Sequence, residues 1–344
     1  MPRATVEGTA RYRDAARAAP GHFRAALDGL SVSSLGLGTY LGRDDDATDA
    51  LYVEAAARAA ALGVNVFDAA INYRNQRSER ALGQALARLD REAIVVCTKG
   101  GFLPFDGARP PDVRAYLDET FVRPGVLRWD EIVQGCHSMA PRFLSDQIDR
   151  SRRNLGVGCI DLYYLHNPET QLGEVPRAEF LRRLRAAFEA LERACADGRI
   201  GCYGTATWSG YRLEAGEDEH LSLAEVLACA RQVGGDRHHF RAVQLPFNRE
   251  LDEAAGLRNQ DGRTLLEAAA GAGVAVFASA SVLQGKLAVA PPGAAQSPDA
   301  LTFAQRALQF VRSTPGVVCA LAGMKTRAHV EENAAIARVP PSAG

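Results

Sequence analysis

No stretch of this 344-residue chain approaches the roughly 18 consecutive apolar residues that a membrane-spanning helix needs. The first residues, MPRATVEGTARYRDAARAAPGHF, contain no apolar core of the kind a secretory signal carries. They are Arg- and Ala-rich like a transit peptide, but Glu7 and Asp14 count against that role. The formal net charge is −1, so no long-range field points to nucleic acid or an anionic membrane as partner. The seven cysteines, Cys97, Cys136, Cys159, Cys195, Cys202, Cys229 and Cys319, are scattered, odd in number and free of any C-x-x-C. That pattern indicates neither a disulfide framework nor a zinc site, and no metal is expected. Cys97, Cys202 and Cys319 fall in or beside apolar runs, where cysteine is usually a small buried hydrophobe. These absences together suggest the cytoplasm.

What is present is regular alternation. Apolar content of 47% and charged content of 24% are those of a globular chain, long enough for two ordinary domains or one large α/β barrel. Short apolar runs (SSLGLGTY, VNVFDAA, AIVVCTKG, IDLYYLH, RIGCYGTAT, AVQLPFN, VAVFASAS, GVVCALAG) are separated by segments of helical period, several closing on glycine. Continuous apolar character suits strands buried on both faces of a parallel sheet. Eight strand–helix units match a (β/α)8 barrel of the TIM type. A doubly wound open sheet would want G-x-G-x-x-G after its first strand; the nearest text, SLGLGTYLG, runs on into acidic RDDDATD. Residues 1–30 read as an N-terminal extension whose HFRAALDGLSVS, turning at Asp28-Gly29, forms a hairpin over the barrel floor. Residues 31–344 read as one barrel domain. A long loop follows the third strand, with 102–140 as an insertion at the active-site face and a candidate lid.

Four polar residues stand at or just beyond strand ends: Asp68 and Tyr73 in FDAAINY, Lys99 in IVVCTKGG and His166 in DLYYLHNPE. In a barrel those ends converge on one mouth. A free phenol is a poor acid–base group near neutrality. An ammonium close by lowers its pKa, and a carboxylate holds that ammonium charged and in place. An imidazole orients the substrate oxygen by hydrogen bonding. Each residue alone has an ordinary structural reading; four in order on successive strands do not.

These segments resemble the aldo-keto reductase family over essentially the whole chain after residue 30. FDAAINYRNQRSERALGQAL is similar to the family's strand-two signature and IDLYYLHNPE to that of strand four. VFASASVLQGKL resembles that of strand seven, and GMKTRAHVEENAAI the C-terminal cofactor loop and helix. The resemblance implies catalytic roles for Asp68, Tyr73, Lys99 and His166, with Tyr73 as general acid and base. It implies NADPH as cofactor, NADH less often, and interconversion of an aldehyde or ketone with an alcohol. The implied cofactor residues are Thr39, Asp68, Thr207, Gln244, Ser279, Leu283, Gly285, Lys286, Gly323, Met324, Lys325, Thr326, Arg327, Glu332 and Asn333. Cations at a helix start, such as Lys325 and Arg327, suit a 2′-phosphate.

Two features depart from the family. Ala206 and Thr207 stand where Ser-Asn usually binds the nicotinamide carboxamide, and Ser279 stands where a Tyr stacks on the ring, with Trp208 or Phe247 as candidate substitutes. A redox-neutral isomerase, cyclase or lyase therefore stays open beside the oxidoreductase, as does a non-enzymatic regulatory subunit. Tyr40, Phe102, His137 and Trp208 are candidate substrate contacts, and their aromatic character suits a mostly apolar carbonyl or alcohol. The expected partner is that small molecule, with no nucleic acid or membrane and a monomer or weak homo-oligomer.

Overall fold

A computed structural model describes residues 3–290 and 301–341. Helix α1 (Val6–Ala15) leads into strands β1 (Phe23–Ala26) and β2 (Leu30–Ser33), an antiparallel hairpin that turns through Leu27, Asp28 and Gly29, all at positive φ. The α1 helix was not foreseen. It docks through small residues rather than an apolar stripe: Gly8 and Thr9 are its buried positions, and a Cβ at Gly8 would stand 2.4 Å from the Glu92 carbonyl oxygen.

Eight parallel strands then close into a barrel. They are β3 (Leu35–Gly38), β4 (Val66–Asp68), β5 (Val95–Gly100), β6 (Ile160–His166), β7 (Ile200–Ala206), β8 (Phe240–Pro246), β9 (Ala275–Ser279) and β10 (Val317–Gly323). β10 pairs with both β9 and β3, which leaves no free edge. Each run named from the sequence overlaps one of these strands. Helices α2 (Asp46–Ala61), α3 (Arg77–Leu86), α5 (Pro141–Leu155), α6 (Arg177–Ala196), α7 (Leu223–Gly234), α9 (Leu265–Gly271), α10 (Phe303–Ser313) and α11 (Arg327–Ala334) follow the strands in turn. Short helices α4 (Val113–Leu117) and α8 (Glu253–Gly256) sit in loops.

Apolar side chains fill two layers. One lies between strands and helices and includes Leu82, Leu144, Leu184 and Leu245. The other fills the barrel interior with Val66, Val95, Leu162, Tyr164, Phe277 and Leu321, and the hairpin adds Leu27 and Val32 to it. The floor is thus plugged by the hairpin, and the C-terminal strand ends form the open face. The 101–140 segment is ordered around a small core of its own, Leu103, Leu117, Phe121 and Leu127 against Phe143 of α5.

Candidate active site

The short β4 strand delivers Asp68 to the barrel mouth, where the Thr39 hydroxyl donates to the Asp68 backbone carbonyl at 3.0 Å. Lys99, near the end of β5, points its ammonium inward. Its Nζ donates to Asp68 Oδ1 at 2.5 Å and to the Ala69 carbonyl at 2.8 Å, and its side chain is almost wholly buried. The other Asp68 oxygen accepts from Gln244 Nε2 at 2.9 Å. Lys99 Nζ lies 4.9 Å from the centre of the Tyr73 ring. Tyr73 meets Tyr40 edge-on at 5.0 Å and His166 at 5.8 Å, and Phe102 closes on His166 at 5.0 Å. The four residues singled out in the sequence come together.

Burial alone would push the Lys99 ammonium down, but Asp68 and Tyr73 outweigh it and hold its pKa above the ordinary value. For Tyr73 the balance differs from the sequence expectation. Burial pushes the phenol up; Lys99 pulls it back only in part, while Asp68 opposes. The resting phenol therefore carries its proton at neutral pH. Burial, then the Lys99 charge and the neighbouring His137, hold the His166 imidazole well below its usual range, so it is neutral. Its Nδ1 is buried without a hydrogen-bond partner.

Above these residues opens a cavity of about 820 Å³. Asp68, Tyr73 and His166 form part of its wall, and Lys99 lies beneath them. Thr39, Thr207, Gln244, Ser279, Gly285, Gly323, Lys325, Glu332 and Asn333 line it, as do Tyr40, Phe102 and Trp208. Tyr40 is 56% exposed and Trp208 49%, which puts two aromatic faces on the rim.

Other expected positions lie elsewhere. His137 is not in the wall: it is fully buried behind His166, its Nε2 2.7 Å from the His166 carbonyl and its Nδ1 2.9 Å from Gln171 Nε2. A carbonyl only accepts and an amide NH₂ only donates, so the ring carries its proton on Nε2. Met324 belongs to the apolar layer between strands and helices and is fully buried there. Leu283, Lys286, Thr326 and Arg327 flank the cavity without lining it. The Thr326 hydroxyl caps α11 through His329 N, and Arg327 pairs with Glu331 at 2.9 Å. Phe247 stacks on Phe310 at 5.8 Å, away from the cavity. Of the 102–140 insertion only Phe102 reaches the wall.

Several wall residues carried no mark in the sequence. Asn72 and Asn167 adjoin Tyr73 and His166 in the chain, and adjacency was the only available clue. Glu169 lies behind the wall, fully buried, and its Oε1 accepts from the backbone N–H groups of Trp208, Ser209 and Gly210 at 2.7, 3.1 and 3.3 Å. It thereby fixes the turn that presents Trp208.

Buried polar atoms without partners test what the cavity accepts. Thr207 Oγ1, Asn333 Oδ1, Asn72 Oδ1 and His166 Nδ1 are all buried and unsatisfied, and all belong to wall residues. Such atoms are costly to leave alone. They run from the catalytic end to Asn333 in the last turn of α11, and Lys325 just before that helix adds a cation to the same wall, so the wall suits a long, polar, anionic ligand such as a dinucleotide.

The model of the Aldo/keto reductase family matches residues 34–233, more than half of the chain. The chain belongs to the aldo/keto reductase family. A D-threo-aldose 1-dehydrogenase from a Pseudomonas species is 34% identical over 190 residues, covering 52% of this chain and 51% of that protein. A Schizosaccharomyces pombe protein described as a putative voltage-gated potassium channel subunit beta is 27% identical over 189 residues, covering 54% of this chain and 45% of its own. The chain thus spans about half the length of the curated relatives it matches. A Klebsiella pneumoniae aldo/keto reductase solved with NADP and acetate superimposes with a TM-score of 0.61 at 19% identity, over 93% of this chain and 91% of its own. At that identity the likeness is one of fold, and it places this aldo/keto reductase barrel among others of its architecture.

Proposed function

We propose that this aldo/keto reductase is an NADP(H)-dependent oxidoreductase that interconverts a carbonyl and an alcohol, with Tyr73 as the group that gives or takes the proton. The observation that carries the reading is the contact of Lys99 with both Asp68 and Tyr73 beneath a cavity whose buried polar atoms lack partners.

The residues fit the cofactor. Thr207, Gln244 and Ser279 would hold the nicotinamide end, Lys325 with Arg327 beside it the 2′-phosphate, and Asn333 the adenine. Bound there, the nicotinamide supplies or accepts the hydride. The protein's own work is at the oxygen. Tyr73, protonated at rest, donates to the carbonyl oxygen as negative charge develops, and Lys99 stabilises the phenolate left behind. Asp68 keeps Lys99 charged. His166, neutral, donates a hydrogen bond to the same oxygen and orients it. In the oxidative direction the phenolate takes the alcohol proton by the reverse path. The rim rings of Tyr40, Phe102 and Trp208 cover the substrate's apolar face.

Fluorescence titration with NADPH and NADH, then turnover at 340 nm on aldehydes, ketones and aldoses, tests this. Tyr73→Phe is expected to cut turnover by about 10²–10⁴-fold, the usual worth of a positioned acid, with cofactor affinity unchanged. Failure to bind either nucleotide at millimolar concentration would overturn the reading in favour of proton transfer without hydride transfer.

A further inference from the structure

We propose that Arg74 is a positioning residue for Tyr73: its buried guanidinium clamps the turn after Tyr73 onto the segment Arg43–Asp49 and so sets where the phenol stands relative to Lys99. The proposal rests on the reading of Tyr73 as the catalytic acid.

The turn is unusual in its backbone. Arg74, Asn75 and Gln76 follow Tyr73 at φ of 49°, 52° and 71°, three consecutive left-handed residues with no glycine among them. A Cβ makes that region uncommon for a single L-residue, and a run of three persists only where the surroundings enforce it. Three of the enforcing contacts come from Arg74. Its Nε donates to the Arg43 carbonyl at 2.8 Å, and one terminal nitrogen donates to the Asp45 carbonyl at 3.3 Å and to Asp49 Oδ1 at 2.5 Å. The side chain is 1% exposed, and its planar head lies 5.4 Å from the centre of the Tyr52 ring. Tyr52 in turn donates to the Leu41 carbonyl at 2.5 Å. A Cβ at Gly42, itself at positive φ, would stand 2.6 Å from Thr48 Cγ2, so the segment has no room to spread.

The neighbours add to the hold without reaching the Arg43 and Asp45 carbonyls: Asn75 donates to exposed Asp44, half-buried Arg77 pairs with Asp46 and Asp49, and buried Gln76 donates to the Phe105 carbonyl at 2.8 Å on the other side of the turn. The acidic run RDDDATD thus receives the turn. Three residues before that segment stands Tyr40, whose ring edges onto Tyr73. Backbone and rings make a closed circuit: Tyr73 to Arg74, across to residues 41–49, and back through Tyr40 to Tyr73. A lysine would reach the site but could not form the planar fork that binds two carbonyls and a carboxylate together.

Tyr73 faces Lys99, Asp68, His166 and Tyr40. If the clamp loosens, Tyr73 drifts from Lys99 while remaining buried, and its ionisation moves to higher pH.

The test uses Arg74→Lys and Arg74→Gln in the full chain. Each is read by tyrosine Cζ NMR titration, with Tyr73 assigned from the signal lost in Tyr73→Phe, by NADPH titration and by steady-state kinetics. We expect the Tyr73 midpoint to rise in both variants, kcat to fall at least tenfold and the NADPH Kd to stay within twofold. Added guanidinium should restore part of the loss in Arg74→Gln. An unmoved Tyr73 titration overturns the proposal, even if kcat falls, because Arg74 would then be only structural. Full turnover by Tyr73→Phe would overturn the catalytic reading instead, while the NMR titration still decides the clamp.

Discussion

Gln244 on β8 donates a 2.9 Å hydrogen bond to Asp68 Oδ2 on β4, and these two strands stand opposite each other in the ring of eight. The bond crosses the barrel mouth. With Lys99 on Oδ1, the Asp68 carboxylate has both oxygens engaged, one by a cation and one by a neutral amide. It is therefore a fixed negative charge rather than a proton donor, and what it fixes is the charge state of Lys99.

Replacing Asp68 by Asn leaves the Lys99 ammonium buried and unpaired. Breaking one side of a buried pair costs about 3–5 kcal/mol, to be read by urea denaturation near pH 7. The sign of the pH dependence should also reverse. In the wild type the Lys99 pKa is raised, so its contribution is complete below the unfolded value of about 10.4 and is lost as pH rises through the folded value. In Asp68→Asn burial is opposed only by Tyr73 and the Ala69 carbonyl, and the Lys99 pKa is expected to fall below the ordinary value. Stability should then rise with pH below about 10.4 as the amine sheds its proton. Parallel slopes in the two proteins would show that Lys99 does not depend on Asp68.

His166 gives a second pH test. Its imidazole is held well below the usual range by burial, with Lys99 and His137 adding to the effect. Activity should therefore show no His166-dependent limb between pH 6 and 8, where an ordinary histidine titrates. His166→Gln keeps a donor to the substrate oxygen and should lower kcat without altering the shape of the profile. A limb near pH 6.5 that vanishes in this variant would mean that the ring is protonated in the working enzyme.

The pattern in the sequence carried the barrel because strands buried on both faces read as short continuous apolar runs, whereas the helices between them bury only a stripe. The tetrad was legible for the same reason, since strand ends are fixed by the barrel. What lacked a period was not legible. His137 sits in a loop, where spacing says nothing of direction, and it turned behind His166 instead of into the cavity. Helix α1 docks through Gly8 and Thr9, and small buried residues leave no amphipathic trace. The partnership of Arg74 with Asp49 spans 25 residues and depends on left-handed backbone that the sequence, lacking glycine there, did not suggest.

Glu169 tests how the rim is held. One carboxylate oxygen receives three successive backbone N–H groups from Trp208 to Gly210. Glu169→Leu would orphan them, at about 1–3 kcal/mol for a buried donor left unpaired, and would free Trp208. We expect lower thermal stability and a raised substrate KM, with NADPH affinity little changed. Glu169→Gln keeps an acceptor in place and should recover most of the KM. If Glu169→Leu lowers stability but leaves KM alone, the Trp208 turn does not contribute to substrate binding.

The chain has only three lysines, Lys99, Lys286 and Lys325, so amine chemistry reads the site with little background. Lys99 is fully buried and held charged by Asp68, which makes it doubly unreactive toward acylating reagents that need a free, accessible amine. Lys286 is exposed and lies outside the cavity wall, whereas Lys325 is part of that wall. Acetylation followed by peptide mass spectrometry should label Lys286 and Lys325 and spare Lys99. Saturating NADPH should then protect Lys325 selectively, because a phosphate placed there removes both its access and its free amine fraction. Equal labelling of Lys325 with and without NADPH would place the nucleotide's phosphates elsewhere. Labelling of Lys99 in the folded protein would contradict its burial against Asp68.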